Sequence, residues 1–347
     1  MLLALSLIAL GVALRLPDHA RFARGTPQAA DAARLIAIQR SHANDWTPTL
    51  LLVGQWIQIA GYWRLASQGP WAAAVAAVGV AVQFRHLQEI SHHAVHGVLA
   101  RTRRTNRLLA EAFAHYPLGL PPEPVRRQRH VRDHHPQATL ASDPNLAELA
   151  AAGLRPGITG TRFALALVHP LTPQGIRTTS RTLTAGLQPG PGRWDRTAAP
   201  IAVLAAAYLT GGWTAALAGA LLPRLLLYPL LAWWSLLVEH TWFDPDHRTG
   251  TPAETEAGRC LRLYPGNRLL AGLATATWLP YGDLHHYAHS AHPGLRWNYL
   301  SALEQHLPAP HFTPAALFLG PHSATRRHHR ALTVQARDNE HQAAPRR

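Results

Sequence analysis

The chain has one cysteine and no lysine, and each scarcity excludes something. With Cys260 alone among 347 residues, neither a disulfide framework nor a site built from several thiolates can form, and an iron–sulfur cluster is not expected. All 33 basic residues are arginine, and with 19 acidic residues they give a formal charge of +14. Because no zinc finger, RNA-binding signature or helix-turn-helix pattern is present, this charge favours a membrane surface over nucleic acid.

Four apolar segments occur as two pairs, each interrupted by a turn-like sequence. The first pair lies near 49–66 and 71–85 around Ser67-Gln-Gly-Pro70, and the second near 199–221 and 225–239 around Pro223-Arg224. A helix that spans a bilayer needs about 20 mostly apolar residues, and some of these segments are shorter. The pattern predicts two transmembrane helical hairpins, and a buried helix bundle in a soluble protein stays open as the alternative.

Arginines are concentrated on one side of both pairs. They follow the first pair at 101–107 and precede the second at 177–196, whereas the turns have only Arg64 and Arg224 nearby. By the positive-inside rule, both turns face outward, and all the clusters of histidine described below lie on the cytoplasmic side. The apolar segment 2–14 lacks the basic start of a signal peptide, which favours an uncleaved anchor or interfacial helix.

Histidines gather in three clusters. These are His86-Leu-Gln-Glu-Ile-Ser-His92-His93-Ala-Val-His96, His130-Val-Arg-Asp-His134-His135 and His285-His286-Tyr-Ala-His289-Ser-Ala-His292. Histidines three or four residues apart share a helix face, so each cluster can direct several imidazoles at one point. Together they offer more nitrogen ligands than one metal ion needs, which predicts a site for two ions.

Some histidines are better interpreted without a metal. A lone histidine is more often a surface residue or a hydrogen-bonded core residue than a ligand, and this applies to the isolated histidines and to those near the C-terminus. Within the clusters, His86, His93 and His285 are the members most readily interpreted as supporting residues or bystanders.

The clusters, written H-x3-H, H-x3-HH and H-x2-H-x2-HP, resemble the histidine boxes of the membrane fatty-acid desaturase and hydroxylase superfamily. The order of pair, two boxes, pair and third box is similar, and so are Glu239-His240 and Asp143-Pro144-Asn145. The resemblance covers about residues 49–310. It implies an all-α, multi-pass membrane protein whose two transmembrane hairpins are capped by a cytoplasmic, helical histidine-box site for two non-haem irons.

The resemblance divides the chain into three parts. Residues 1–48 would be an N-terminal anchor or amphipathic region, 49–310 the desaturase-like catalytic domain, and 311–347 a basic C-terminal tail. The charge of the tail predicts that it is solvated or disordered.

Carried over by position, the resemblance also implies the metal ligands. Ser290 stands where the family usually has a second adjacent histidine, and His292, one helical turn after His289, is expected to fill that place. Glu89 and Glu239 are expected to orient the ligands. The complete ligand set would be His92, His96, His130, His134, His135, His240, His286, His289 and His292.

The implied activity is an O2-dependent desaturation of a fatty acyl chain or related lipid. The run His289-Ser-Ala-His292-Pro293 also resembles the third box of membrane alkane hydroxylases, so a hydroxylase or ketolase acting on a lipid, an alkane or a secondary-metabolite intermediate stays open. No G-x-G-x-x-G fingerprint and no fused haem domain is present, which implies external electrons from a separate ferredoxin or cytochrome.

Two other classes of protein fit the sequence less well than an oxidase does. A membrane metal-binding or transport protein would place ionisable residues within the spans, whereas these clusters lie at helix ends and in connecting segments. A zinc hydrolase usually pairs about three protein ligands with one acid–base carboxylate, fewer ligands than the clusters supply.

Overall fold

A computed structural model describes residues 2–22, 31–187, 194–318 and 320–343. Within these residues the chain is helical and its β-structure is limited to isolated bridges, which confirms the all-α prediction. The α-helices are α1 Leu2–Phe22, α2 Ala32–His42, α3 Trp46–Ala66, α4 Pro70–Val95, α5 Arg103–Ala110, α6 Glu123–Arg127, α7 Pro144–Ala151, α8 Gly160–Leu167, α9 Pro173–Gly186, α10 Trp194–Ala216, α11 Tyr228–Glu239, α12 Pro252–Arg259, α13 Arg268–Ala276, α14 His286–Ala291, α15 Trp297–Glu304 and α16 Ala324–Ala343. Single turns of π-helix lie at Glu111–His115, Gln128–His134, Leu217–Leu221 and Pro223–Leu227, and of 3-10 helix at His135–Gln137, His169–Leu171 and Asp283–His285.

The first predicted pair is present as α3 and α4, joined at the predicted turn. Gly69 adopts a φ of 121°, which favours glycine, and Pro70 occupies the start of α4, where its missing N–H costs no hydrogen bond. The two helices pack closely, since a Cβ added at Gly79 would lie 2.5 Å from the ring of Tyr62.

The turn of the second pair was predicted at the wrong place. The helical geometry breaks at Gly211 and Gly212, with φ values of −150° and 66°, and the chain is helical through Pro223. Glycine adopts a positive φ without strain, and a Cβ at Gly211 would lie 2.5 Å from the carbonyl oxygen of Trp63. Pro223 lies inside this helical run at a π-helical turn, so its missing N–H removes a backbone hydrogen bond without ending the helix.

Two helical stretches of the described chain, Leu2–Phe22 and Trp194–Glu239, are long and apolar enough to cross a membrane. Large apolar side chains on both are exposed, among them Leu2 (81%) and Leu209 (83%). Such exposed apolar surface is unusual for a soluble monomer and is expected where lipid covers it. Four crossings and their orientation stay predictions.

Helix α1 is part of the packed structure. Its Leu7 and Leu14 lie against glycines of α3. The carboxylate of Asp18 lies 2.6 Å from the guanidinium of Arg296, and both side chains are buried. Loss of α1 would leave the Arg296 cation buried without its carboxylate, and the uncleaved N-terminal anchor stays a prediction.

The prediction of a solvated or disordered tail is wrong for the start of α16. His328 and Leu332 are buried, and the His328 ring nitrogen Nε2 lies 2.8 Å from the carbonyl oxygen of Leu237. The prediction relied on the arginines of this segment and overlooked its apolar residues, which form a helix face that packs on α11. Residues 344–347 lie outside the described part of the chain, and the domain boundary at 310 stays a prediction.

Candidate metal centre

The first histidine cluster forms the C-terminal end of α4. His92 lies in the last turn and His96 caps the helix, so both rings project from the same end. One turn earlier, Glu89 Oε1 lies 3.6 Å from Nδ1 of His92, and its other oxygen accepts a hydrogen bond from Arg85. Glu89 therefore lies beside the His92 ring, and its role in orienting this histidine stays a prediction.

Four histidines from the three clusters form what we call the first ligand group: His92, His96, His130 and His289. One ligand atom from each lies within 4.8 Å of those from the others. The Nε2 atoms of His92 and His289 are only 2.9 Å apart, and His135 Nε2 lies 3.1 Å from His130 Nε2. Nitrogen lone pairs this close together are the arrangement that a shared cation stabilises.

The second histidine cluster lies on a π-helical turn, Gln128–His134, rather than on a regular α-helix. The wider turn directs His130 into the first ligand group and His134 into a second one. π-Helical turns often occur at functional sites. Asp143 fixes the ring of His134, because its Oδ1 lies 2.9 Å from His134 Nδ1 and the same carboxylate caps α7.

The second ligand group consists of His134, Glu239, His240 and His286, whose ligand atoms also lie within 4.8 Å of one another. His240 follows the end of α11 in extended backbone. Its Nδ1 lies 3.2 Å from the carbonyl oxygen of Arg259, which identifies Nε2, 3.4 Å from Nε2 of His286, as the ligand atom.

Glu256 and Cys260 lie on the other side of the His240 ring, and nothing in the sequence pattern indicated them. The oxygens of Glu256 are occupied, since Ser290 Oγ donates to Oε2 at 2.8 Å and the guanidinium of Arg259 donates to both. Burial, followed by the charge of Glu256, holds the pKa of the Cys260 thiol well above its usual value. With His240, these two residues form a third set of closely spaced ligand atoms, and because the Glu256 oxygens already accept hydrogen bonds and Cys260 Sγ contacts His240 Nδ1, they are placed to support the ring of His240.

The remaining predicted residues lie outside both groups. His292 belongs to neither ligand group of the described chain, so the position vacated at Ser290 is not filled by its ring here. Hydrogen bonds to other partners hold the three supposed bystanders: His86 bonds to Ala276, His93 to Tyr281 and His285 to Glu304.

Several of the histidines in and beside the ligand groups are held neutral, as metal ligands must be. Burial, reinforced by the neighbouring His134, lowers the pKa of His135 to about 3. The pKa values of His130, His286 and His289 lie well below the usual range for the same two reasons, burial and nearby histidines. Neutral imidazoles present lone pairs, and no protons compete with a cation.

Three orphaned atoms indicate that metal ions fit these groups. His96 Nε2, His134 Nε2 and Glu239 Oε2 are buried without a hydrogen-bond partner among the described residues. A buried polar atom left unpaired costs about 1–3 kcal/mol, so each needs a partner that the protein does not supply. All three belong to the ligand groups, and imidazole with carboxylate suits iron or zinc.

Comparison with known proteins gives one match. The family model described as Fatty acid desaturase matches residues 69–315, which contain both ligand groups and the second helical pair. No curated protein and no solved structure matches the chain. The family match confirms the resemblance seen in the histidine boxes. Because it covers more than half of the sequence, the chain belongs to the fatty acid desaturase family.

Proposed function

We propose that this protein is an O2-dependent di-iron desaturase that introduces a double bond into an acyl chain or related lipid. Its family indicates an oxidoreductase of the desaturase or hydroxylase type, with a lipid substrate and membrane association. The observation that carries the proposal is the pair of adjacent four-ligand groups, in which orphaned nitrogen and oxygen atoms converge.

The chemistry that two bound irons supply is the reduction of O2 to an oxidant able to break an unactivated C–H bond, which no side chain can do. The protein's own part is positional. Burial keeps the imidazoles of His130, His286 and His289 neutral, Glu89 lies beside His92 and Asp143 orients His134. Such supporting contacts typically change metal affinity or activity by about 10–100-fold.

We assign the first ligand group, with His135 beside it, to one iron and the second ligand group to the other. In the second group, Glu239 takes the place that Ser290 leaves without a histidine. Glu256 is the other nearby carboxylate, but its oxygens already accept hydrogen bonds, whereas Glu239 Oε2 has no partner among the described residues. This proposal makes Glu239 a ligand as well as a neighbour of His240.

Changing Glu239 to glutamine should lower the iron content from two towards one per chain. The amide keeps the shape of the side chain but loses the charge that stabilises a cation. Residues that only support a metal ligand change metal affinity by about 10–100-fold, so loss of a direct ligand should lower the affinity for the second iron by at least that much. The readout is iron content with Mössbauer spectroscopy. His292→Ala is the matched control and should retain two irons; iron loss in that variant with full occupancy in E239Q would reverse the assignment.

The reaction is tested by mass spectrometry of lipids and small acids from cells expressing the protein or its His96→Ala variant. Desaturation predicts products that lack two hydrogens and contain no label from 18O2. A hydroxylase, the second candidate, is favoured by the departure at Ser290 and would give products with one labelled oxygen. Identical products from both cell lines would contradict an oxidase.

We also propose that the ligand groups face the cytoplasm and that a separate ferredoxin or cytochrome supplies the electrons. The exposed arginines 101, 103 and 104 follow α4 and give this end of the protein a positive surface. An acidic donor would be steered by that charge, so turnover at limiting donor should fall as ionic strength rises. Turnover that is independent of salt would contradict docking by charge.

A further inference from the structure

A cavity of about 460 Å³ adjoins the first ligand group. It lies between α4, α9 and α11, and its wall includes His92, His130 and Glu239. Its size is within the roughly 300–1,000 Å³ typical of small-molecule sites, so it is the natural place for the substrate. For a tunnel that holds only an acyl chain, an apolar wall is expected, and this wall is not apolar throughout.

Arg126 lies on this wall without a carboxylate partner. Its Nη1 lies 3.2 Å from Ser91 Oγ and 3.0 Å from His115 Nε2, both neutral groups. The acid that acts on it electrostatically, Glu89, is already paired with Arg85. Within the described chain, the Arg126 charge is therefore not neutralised by an ion pair.

Arg224 is the second such cation. Its guanidinium donates to the carbonyl oxygen of Leu118 and lies over the ring of Tyr228, 5.5 Å from the centroid. The other arginines of the wall differ, because Arg85 pairs with Asp283 and Arg129 with Glu148. Both arginines are only half-buried, but a cation that has lost part of its hydration and has no counter-ion is still unfavourable, so two in one cavity indicate that an anion is supplied from outside.

We propose that this cavity binds a substrate whose anionic group, a carboxylate or a phosphate, pairs with Arg126 and Arg224, while the carbon to be oxidised lies against His92 and His130. The planar guanidinium matches both oxyanions, with two parallel hydrogen bonds. The inference rests on the proposed function and narrows the class of substrate. The substrate would be a free acid or a phosphate ester whose charged group lies inside the cavity.

The test is calorimetric titration of the protein as purified from iron-replete cells, in neutral detergent, with octanoate, octyl phosphate and 1-octanol, and the iron content of the same sample is measured. One of the two anions should bind about 10–100-fold more tightly than the alcohol, since hydrogen bonds to charged groups are the strong ones. The better anion identifies the group. Arg126→Gln should remove this preference, Arg126→Lys should keep part of it, and Arg104→Gln, an exposed arginine on α5, should keep all of it.

Equal binding of the anions and the alcohol, or a preference that survives both Arg126→Gln and Arg224→Gln, would overturn the inference. If Arg126→Gln does not give a monodisperse protein, Arg224→Gln carries the test. The titration needs neither O2 nor electrons, so it separates the two proposals. Two irons without an anion preference contradict this inference alone, and an anion preference without iron contradicts the di-iron function alone.

Discussion

The His134→Ala variant should lose its second iron and retain less than about one-hundredth of the turnover. Loss of a residue that only supports a metal ligand already lowers metal affinity or activity by about 10–100-fold, and His134 is proposed to be a direct ligand. His134 is fully buried, its Nδ1 is held by Asp143, and its Nε2 has no partner within the described chain. Alanine removes the ligand and leaves Asp143 facing a cavity. Iron content and product formation should therefore fall together.

The matched control for this variant is His247→Ala, which removes an exposed histidine beyond α11. It should keep both irons and normal turnover. Comparable losses in the two variants would mean that histidine replacement acts through general stability, and full turnover by His134→Ala would remove the second ligand group from the mechanism.

Changing Arg85 to methionine should destabilise the protein by about 3–5 kcal/mol, the usual cost of breaking a buried ion pair by removing one partner. The Arg85 guanidinium lies 2.9 Å from Glu89 and 2.5 Å from Asp283, and it also donates to Ser235 Oγ at 3.0 Å. All these side chains are buried. Without Arg85, two carboxylates would remain close together in the interior with no cation between them.

Arg107→Met provides the comparison, because Arg107 forms the same i,i+4 pair with Glu111 but is 54% exposed. Exposed pairs are worth about 0–1 kcal/mol, so this variant should unfold almost as the unchanged protein does. Denaturant unfolding in detergent measures both. Since Arg85 joins α4 to the segment before α14, its loss should also reduce iron content; equal stability of the two variants would contradict a structural role for the network.

The sequence predicted the convergence of the histidine clusters better than the path of the chain. Histidine spacing is a local property, so the grouping of His92, His96 and His130 with His289 could be expected from the clusters and their resemblance to known boxes. The break at Gly211 and Gly212 was missed because Pro223 is the stronger turn signal. That a continuous helix accommodates Pro223 at a π-helical turn depends on the surrounding geometry, which the sequence does not show.

Other features depend on contacts between distant residues, which no local pattern reveals. Glu239 was expected only to orient a ligand, and its free oxygen became evident once His134 and His286 were seen beside it. Arg224 was interpreted as a residue at an outer turn, whereas it lines the same cavity as Arg126. In the C-terminal segment, the prediction followed the positive charge, whereas the structure buries Leu332 on an apolar helix face.

The central claim is that the two ligand groups hold two irons. It is tested most directly by elemental analysis of the detergent-purified protein, together with Mössbauer spectroscopy on material from iron-57-grown cells. The account predicts two irons per chain in distinct environments, because one group contains four histidines and the other three with a carboxylate. Zinc alone, bound under iron-replete expression, would contradict it.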